Sequence, residues 1–226
     1  MKVDAGSLQK YKAILFDMDG VIVHTMPDHF RAWQETLQSV GIEVDRFEIY
    51  AREGEQGMMT LSGILARHGK ELTKEEKQHL LQQKESLFKR IVSPSLFPGI
   101  ENLIEEARQR GYRLALVTGT SKNEVESILP RRLSSLFEVI VTGDSISRGK
   151  PAPDPYLKAL DSLGIKAEEA FVIENAPYGI QSAKSAGLFC IAVTTSLPEE
   201  YLHDADIILG SVEEVRELLS ALSPRK

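Results

Sequence analysis

This sequence of 226 residues has only one cysteine and no excess of basic charge. The single cysteine, Cys190, lies in the apolar run FCIAVTT, which excludes a disulfide framework and predicts a buried thiol. Lysine and arginine number 27 against 33 aspartate and glutamate residues, a formal net charge of −6. Because nucleic-acid binding depends on neutralising phosphates, this balance argues against a nucleic-acid partner, while an anionic small molecule can still bind locally.

Long apolar runs are missing as well. No uncharged stretch is long enough to span a bilayer, and the start of the chain, MKVDAGSLQKYK, lacks the apolar centre of a signal peptide. We therefore expect a cytoplasmic protein with no membrane partner, and we expect it to act as a monomer. The length allows one large domain or a domain that carries an insertion.

Short apolar runs recur along the chain, with helical patterns between them. Runs this continuous are typical of strands that are buried on both faces of a sheet. The intervening segments 99–111 and 153–164 have helical spacing and end on a glycine. This alternation predicts an α/β fold with a parallel sheet and right-handed crossovers. The runs are AILF, RLALVT, FEVIVTG, AFVIE, CIAVTT and ADIILG.

A helical insertion separates the first predicted strand from the second. The distance between them is far greater than one crossover helix requires, and residues 25–96 have helical patterns throughout. One of these helices has Thr73 as its N-cap and Glu76 as the partner in a capping box. We predict a Rossmann-like core of residues 1–24 and 97–226, with a helical cap over residues 25–96. The connectors HTMP and SPSLFPG are predicted to lie side by side and to act as a hinge.

Polar residues follow the predicted strands at their carboxyl ends. In an open parallel sheet, ligands bind beyond these ends, where the strand order reverses. A glycine after the first pair of carboxylates lets the backbone turn sharply, so that both carboxylates can converge on one ligand. The residues delivered in this way are Asp17, Asp19 and Gly20, then Thr118, Gly119, Thr120 and Ser121, then Lys150, and finally Glu174 and Asn175.

These residue types suit phosphoryl transfer. Asp17 with Glu174 or Asn175 offers hard oxygen donors for Mg²⁺, and a carboxylate held beside phosphorus can also attack it to form an acyl phosphate. Attack of one anion on another requires positive charge, which Mg²⁺ and the ammonium of Lys150 would supply. Asp19 is interpreted as the general acid and base, a role worth ~10² to 10⁴ in rate.

Four segments in this order resemble the motifs of the haloacid dehalogenase superfamily: DMDGV, TGTS, GKPAPDPY and ENAPYGIQSAKSAG. Each motif is weak alone, but all four stand at predicted strand ends, and together they span the chain. The resemblance implies a Rossmann-like core, a helical cap inserted after the first motif, Mg²⁺ and an aspartyl-phosphate intermediate. Within the superfamily, HFRAW and VSPSLFPGI resemble β-phosphoglucomutase and the sugar phosphatases close to it.

By this resemblance, Asp17 is the nucleophile and Asp19 the acid and base, which also ligates Mg²⁺ through its backbone carbonyl. Lys150 is the charge clamp, and Thr118 supplies the hydroxyl that binds phosphate. Further candidates for substrate contact are Gly20, Gly119, Thr120, His29 and Arg52. His29 is also interpreted as a packing residue of its helix that orients Asp19 from the cap.

The sequence departs from the family pattern at two positions. The fourth motif of the family usually has Glu-Asp or Asp-Asp, whereas this chain has Glu174 and Asn175. An amide oxygen still coordinates a cation but carries no formal charge, so we expect weaker metal binding. His24 stands where the similar enzymes generally have an aspartate, which is expected to alter contacts of the hinge and the cap.

Three functions remain open at this point. A phosphomutase must hold a second phosphate with an arginine or lysine of its cap, but Gly57 stands where that arginine is expected, and Arg52 is out of register. This favours a phosphatase acting on a small phosphorylated metabolite such as a sugar phosphate, with a β-phosphoglucomutase-like mutase as the alternative. The uncharged Asn175 motivates a third possibility, a noncatalytic binder of phosphorylated metabolites.

Simpler structural readings compete with these roles. Lys150 can be a solvated loop lysine, or it can pair with Glu174 merely to join two loops. Ser121 is interpreted as the N-cap of the helix that begins near Lys122. The charge-rich segment TKEEKQHLLQQKESLFKR is interpreted as a solvated helix face. Met58 and Met59 are candidates for cap residues that face the substrate, with simple core residues as the competing interpretation.

Overall fold

The computed structural model describes residues 5–221. Six parallel strands form one sheet, and they coincide with the six apolar runs, so the predicted α/β fold is confirmed. In chain order the strands are β1 Ala13–Phe16, β2 Arg113–Val117, β3 Val139–Val141, β4 Ala170–Glu174, β5 Phe189–Val193 and β6 Ile207–Leu209. The order across the sheet is β3-β2-β1-β4-β5-β6.

Helices occupy the segments between the strands and the insertion after β1. Within residues 5–221, five of them lie between β1 and β2, namely the four of the insertion and one crossover helix, and the other five accompany the rest of the sheet. They are α1 Met26–Gln38, α2 Arg46–Tyr50, α3 Gly57–Arg67, α4 Lys74–Ile91, α5 Ile100–Gln109, α6 Lys122–Ile128, α7 Arg131–Ser134, α8 Asp154–Leu163, α9 Pro177–Ser185 and α10 Val212–Ser220.

Both faces of the sheet are covered, as the continuous apolar runs predict. Every residue of β1 is buried, and successive side chains enter two different apolar clusters. Ile14 and Phe16 belong to one cluster, while Leu15 belongs to the other, because side chains alternate along a strand. Cys190 is a free, buried thiol in the second cluster, which confirms that prediction.

The register of β1 explains where the polar residues meet. Phe16 lies opposite Leu116 of β2 on one side and opposite Ile173 of β4 on the other. The residue after β1 is therefore level with the end of β4, and the strand order reverses at this point. Asp17 and Glu174 are thus brought to the same edge of the sheet.

The two connectors between the core and helices α1–α4 run side by side. Val23 forms an isolated antiparallel bridge with Leu96, and the backbone N–H of His24 donates to Ser95 O at 2.8 Å. The predicted adjacency is therefore confirmed, while the hinge motion and the domain limits 24/25 and 96/97 stay predictions. The exposed ring of His24 packs edge to face on Phe97.

Helix α4 begins as predicted but is not only a solvated face. Thr73 Oγ1 accepts from Glu76 N at 3.2 Å, and Glu76 Oε2 accepts from Thr73 N at 2.7 Å, so the capping box is confirmed. Lys84, in contrast, is 7% exposed and lies on the stripe of buried residues of α4. The interpretation of Met59 as a core residue is wrong, because its side chain is exposed.

Over residues 5–221, no helix has both the length and the apolar character required to cross a membrane.

Candidate active site

Lys150 lies between the ends of β1 and β4. Its Nζ donates to Asp17 Oδ1 at 2.5 Å, to Glu174 Oε1 at 2.7 Å and to Val117 O at 3.2 Å. The Tyr156 hydroxyl also donates to Glu174 Oε1, at 2.7 Å. The charged side chains of this cluster are each 1% exposed, so the interpretation of Lys150 as a solvated loop lysine is wrong.

The buried charges of this cluster alter one another's pKa. Burial raises the pKa of Asp17 to about 8, and Glu174 adds to the shift while Lys150 opposes it. Burial alone would lower the pKa of Lys150, but Asp17 and Glu174 together raise it above its ordinary value. Lys150 therefore stays charged, and its ammonium is too little positive charge to keep buried Asp17 fully ionised.

Two buried oxygens of this cluster fit a divalent cation. Among the described residues, Asp17 Oδ2 and Asn175 Oδ1 have no hydrogen-bond partner. The Asn175 amide is oriented by its Nδ2, which donates to Ser196 Oγ at 2.9 Å, so its oxygen is the free end. Unpaired oxygens are rare inside proteins, and hard oxygen donors are the ligands that Mg²⁺ prefers.

This candidate metal centre has few carboxylate side chains. Within residues 5–221 there is no group of three or more His, Cys, Asp or Glu side chains arranged to hold a metal ion. A cation here would depend on Asp17, Glu174, the amide of Asn175 and the backbone carbonyl of Asp19. This agrees with the weaker metal binding expected from the departure at Asn175.

Gly20 shapes the turn after the two aspartates. Its φ of +89° lies in the left-handed region, and a Cβ placed there would stand 2.0 Å from Asn175 Nδ2 and 2.6 Å from Ser196 Oγ. Gly20 was predicted to contact substrate, but it faces these two side chains and is not among the residues that line the cavity described below.

Asp19 accepts hydrogen bonds from three hydroxyls. Thr120 Oγ1 donates to Asp19 Oδ2 at 2.9 Å, Thr118 Oγ1 is 3.4 Å from the same oxygen, and the Thr25 hydroxyl donates to Oδ1. Burial alone would raise the pKa of Asp19, but the nearby His29 ring and the hydrogen bonds from these hydroxyls lower it. Asp19 is therefore ionised at neutral pH in this state.

His29 connects Asp19 to Lys84 of α4. His29 Nε2 is 3.4 Å from Asp19 Oδ1, and Lys84 Nζ is 3.1 Å from His29 Nδ1. Burial lowers the pKa of His29, and the charge of Lys84 lowers it further. Because Lys84 can only donate, Nδ1 of the neutral ring is the acceptor and Nε2 carries the proton that faces Asp19. His29 stacks on Phe88 at 4.0 Å between ring centroids.

A cavity of about 320 Å³ lies beside His29 and Lys84, between the cap helices and the core. Four residues predicted to contact substrate line it, namely His29, Arg52, Gly119 and Thr120. Asp17, Thr118 and Lys150 are buried beneath these lining residues. The lining also includes Glu53, Glu55, Gln56, Gly57, Met58, Lys84, Glu85, Glu124 and Asp144.

The cap residues singled out in the sequence do not provide a free cation. Arg52 Nη1 is paired with Glu55 Oε2 at 3.2 Å. Gly57 lines the cavity, and a Cβ there would stand 2.8 Å from Leu81 Cδ1, so a larger residue would have to displace that leucine. Neither position offers an unpaired positive charge to a second phosphate.

Several residues of the site were missed in the sequence. Lys84 stood in a charge-rich segment, and the only signal was its position four residues from Leu80 and four from Phe88, which are both buried. Glu124 and Glu53 carried no signal, because their positions beside the cavity depend on how the cap contacts the core. Burial raises the pKa of Glu53 well above its ordinary value, and Asp19 adds to that shift.

The cap is closed over the core in this structure. Gln56 Nε2 donates to Gly143 O at 3.0 Å and to Ile146 O at 3.1 Å. A Cβ on Gly119 would stand 2.6 Å from Gly54 O, so the two loops approach closely. Farther from the cavity, Phe47 of α2 stacks on Tyr201 of the core, with ring centroids 5.8 Å apart. Access to Asp17 therefore requires the cap to move.

Comparisons with known proteins agree with this arrangement. The family model of the haloacid dehalogenase-like hydrolases matches residues 11–187. The validoxylamine A 7'-phosphate phosphatase of Streptomyces hygroscopicus subsp. limoneus is 30% identical over 211 residues, which are 91% of this chain and 96% of that protein. The β-phosphoglucomutase of Bacillus subtilis (strain 168) is 31% identical over 212 residues, 90% of this chain and 91% of that protein.

Solved structures show the same fold. A putative β-phosphoglucomutase from Bacteroides vulgatus superposes with a TM-score of 0.84 at 33% identity, covering 94% of this chain and 90% of that one. The similarity therefore includes both the sheet and the helices inserted after β1.

Proposed function

The chain belongs to the haloacid dehalogenase-like hydrolases, and from that premise we propose that it is a Mg²⁺-dependent phosphatase of a small phosphorylated metabolite such as a sugar phosphate. The observation that carries the proposal is the buried cluster at the ends of β1 and β4, where Lys150 Nζ is 2.5 Å from Asp17 Oδ1 and 2.7 Å from Glu174 Oε1. A carboxylate beside a fixed ammonium is suited to attack an anionic phosphoryl group.

In the first step, an oxygen of the Asp17 carboxylate forms a bond to phosphorus while the bond between phosphorus and the ester oxygen breaks. Asp19 gives its proton to the departing oxygen, so that the alcohol leaves neutral. Asp19 is ionised in the closed structure without substrate, but a bound phosphate dianion raises its pKa through repulsion of like charges. Thr118 is proposed to donate its hydroxyl to a phosphoryl oxygen.

In the second step, water attacks the phosphorus of the phosphoaspartate and Asp19 accepts the proton of that water. The bond between phosphorus and Asp17 then breaks, which releases inorganic phosphate and restores the carboxylate. The neutral ring of His29 directs its Nε2 proton toward Asp19 and keeps this side chain in place. Lys150 holds Asp17 against phosphorus in both steps.

Asp17, Glu174, Asn175 and the backbone carbonyl of Asp19 are proposed to hold Mg²⁺. When bound, the ion would supply positive charge that keeps Asp17 ionised and offsets charge on the phosphoryl oxygens. The unpaired oxygens Asp17 Oδ2 and Asn175 Oδ1 support this assignment.

A phosphatase is favoured over a phosphomutase by the two cap positions at which the sequence comparison expects a phosphate-binding arginine. A mutase holds a second phosphate with a free arginine or lysine, whereas Arg52 is bound to Glu55 and Gly57 has no side chain. The names of the relatives include both activities: one is a phosphatase and another a β-phosphoglucomutase. The monomeric state and the cytoplasmic location stay predictions.

The proposal is tested by measuring phosphate release from a panel of metabolite phosphates and from p-nitrophenyl phosphate, with Mg²⁺ and with chelator. We expect Mg²⁺-dependent release that falls about 10³-fold or more in Asp17→Asn, because that variant lacks the nucleophile. Conversion of β-glucose 1-phosphate into glucose 6-phosphate without phosphate release would instead establish a mutase. Binding of phosphate esters with no turnover of any of them would establish the noncatalytic binder. Full activity of Asp17→Asn would refute the covalent mechanism.

A further inference from the structure

One part of the cavity, around Glu85 and Glu124, is acidic. Five carboxylates line the cavity against two cationic side chains, Arg52 and Lys84. Arg52 is already paired with Glu55. The carboxylates are those of Glu53, Glu55, Glu85, Glu124 and Asp144. Because Arg52 is paired with Glu55 and Lys84 donates to His29, this lining disfavours a second anion.

Glu124 has an unpaired oxygen that faces this cavity. The side chain is at the start of α6 and is 8% exposed. Its Oε2 accepts from Ser121 Oγ at 2.8 Å, whereas Oε1 is buried with no hydrogen-bond partner among the described residues. A buried carboxylate oxygen without a partner is costly, and a donor on a ligand would remove that cost.

Two further carboxylates lack partners. Within residues 5–221, the carboxyl groups of Glu53 and Glu85 form no hydrogen bond and no ion pair. The nearest ammonium is that of Lys84, whose hydrogen bond goes to His29. Burial raises the pKa of Glu85, and Glu124 raises it further, which reflects a shortage of positive charge here. The charges of Lys84 and Lys89 oppose this shift of the Glu85 pKa only in part.

We propose that this acidic part of the cavity binds the leaving group of the substrate, and that the leaving group carries a protonated amine and no second phosphate. Glu124 Oε1 and the carboxylate of Glu85 are the specificity-determining acceptors, one from the core and one from the cap. The substrate class is the phosphomonoester of an amino-substituted polyol. This inference rests on the proposed phosphatase function.

The test compares matched substrates at pH 7.5. Glucosamine 6-phosphate and glucose 6-phosphate differ by one amine, fructose 1,6-bisphosphate carries a second phosphate, and p-nitrophenyl phosphate reports phosphatase activity alone. We expect kcat/KM for the amino sugar to exceed that for glucose 6-phosphate about 10-fold, the effect of one charge-assisted hydrogen bond. The bisphosphate is expected to be the poorest of the three sugars.

Variants that replace a carboxylate with a neutral amide test whether Glu124 and Glu85 cause the amine preference. Glu124→Gln keeps an acceptor for Ser121 at the start of α6, and we expect it to bring the ratio of the two kcat/KM values close to one. Glu126→Gln, on the exposed side of the same helix, is the matched control and should keep the ratio. Glu85→Gln is a second variant that does not touch the helix start, and it should lower the ratio as well.

The outcomes separate the two proposals. Hydrolysis of p-nitrophenyl phosphate with equal use of both monophosphates, or faster use of the bisphosphate, overturns the amine preference and leaves the phosphatase standing. An amine preference that survives in both Glu124→Gln and Glu85→Gln overturns the assignment of these residues. Absence of phosphate release from every compound overturns the phosphatase and the inference together.

Discussion

The side chain of Lys150 sets the charge balance of the site. A buried ammonium between two carboxylates is stable only while both partners stay in place, because removal of either leaves an uncompensated buried charge. The same contacts hold Asp17 in position to attack phosphorus. Burial is the main reason for the high pKa of Asp17; Lys150 opposes this shift, and the negative charge of Glu174 adds to it.

Replacement of Asn175 by aspartate tests this shortage of positive charge. Asn175→Asp adds a negative charge at an oxygen that has no partner, and the Ser196 hydroxyl can turn from acceptor to donor. We expect Mg²⁺ to bind about 10-fold more tightly, as measured by titration calorimetry. Asn123→Asp, an exposed position on α6, is the control for added charge. Equal tightening in both variants would contradict a ligand role for residue 175.

Lys84 is expected to keep His29 neutral. Burial and the charge of Lys84 both lower the pKa of His29, so Lys84→Met should raise that pKa while the methionine preserves packing on Phe88. The measurement is an NMR titration of the histidine rings, with the His29 signal identified by its loss in His29→Asn. Lys89→Met, on the exposed side of α4, should leave the signal in place. A His29 pKa that stays constant or falls in Lys84→Met contradicts the proposed contact.

The catalytic candidates of the core could be predicted from the sequence because each follows a buried strand. The register of β1 with β4 then brings Asp17 and Glu174 together, and Lys150 contacts both from the loop after β3. Lys84 and Glu124 could not be predicted in the same way. Their proximity to the cavity depends on contacts between segments far apart in sequence, which no local pattern records.

At the scale of elements, local signals agreed with the final structure wherever they were strong. The six strands were recognised by continuous apolar runs, and α4 by its capping box. The prediction for α4 was right about the helix and wrong about the exposure of Lys84. A lysine on an apolar stripe can bury its aliphatic carbons while its ammonium still reaches a partner. The charge-rich composition of α4 predicted a solvated face, whereas Lys84 is buried on the apolar stripe of this helix.

Removal of the capping box at the start of α4 gives a prediction for this element. Thr73→Ala leaves the backbone N–H of Glu76 without its side-chain acceptor, so we expect the free energy of unfolding to fall by about 1 kcal/mol. Urea-induced unfolding measures the change. Thr73→Ser keeps the hydroxyl and serves as the control. A serine variant that is as unstable as the alanine variant would contradict the capping explanation.

At the scale of the whole molecule, the cap and the core meet at two separate places. One is the cavity rim, where Gln56 donates to two core carbonyls. The other is the stacked pair of Phe47 and Tyr201, which is outside the cavity and about two-fifths exposed. The sequence indicated adjacent connectors but not these contacts, because each joins surfaces whose relative position is set by the closed cap.

The stacked pair allows cap closure to be altered without touching the cavity. Aromatic pairs contribute about 0.5–1.5 kcal/mol beyond their buried area, so loss of this pair reduces the population of the closed cap by about 2- to 12-fold. We expect Tyr201→Ala to lower kcat/KM by that factor in steady-state assays. Tyr201→Phe keeps the ring and should match the parent.

Phe47→Ala should lower kcat/KM equally, and the double variant should lower it no further, since both changes remove one contact. If the losses of kcat/KM in the single variants add up in the double variant, the two rings act separately. That result would contradict the expectation that their stacking holds the cap closed.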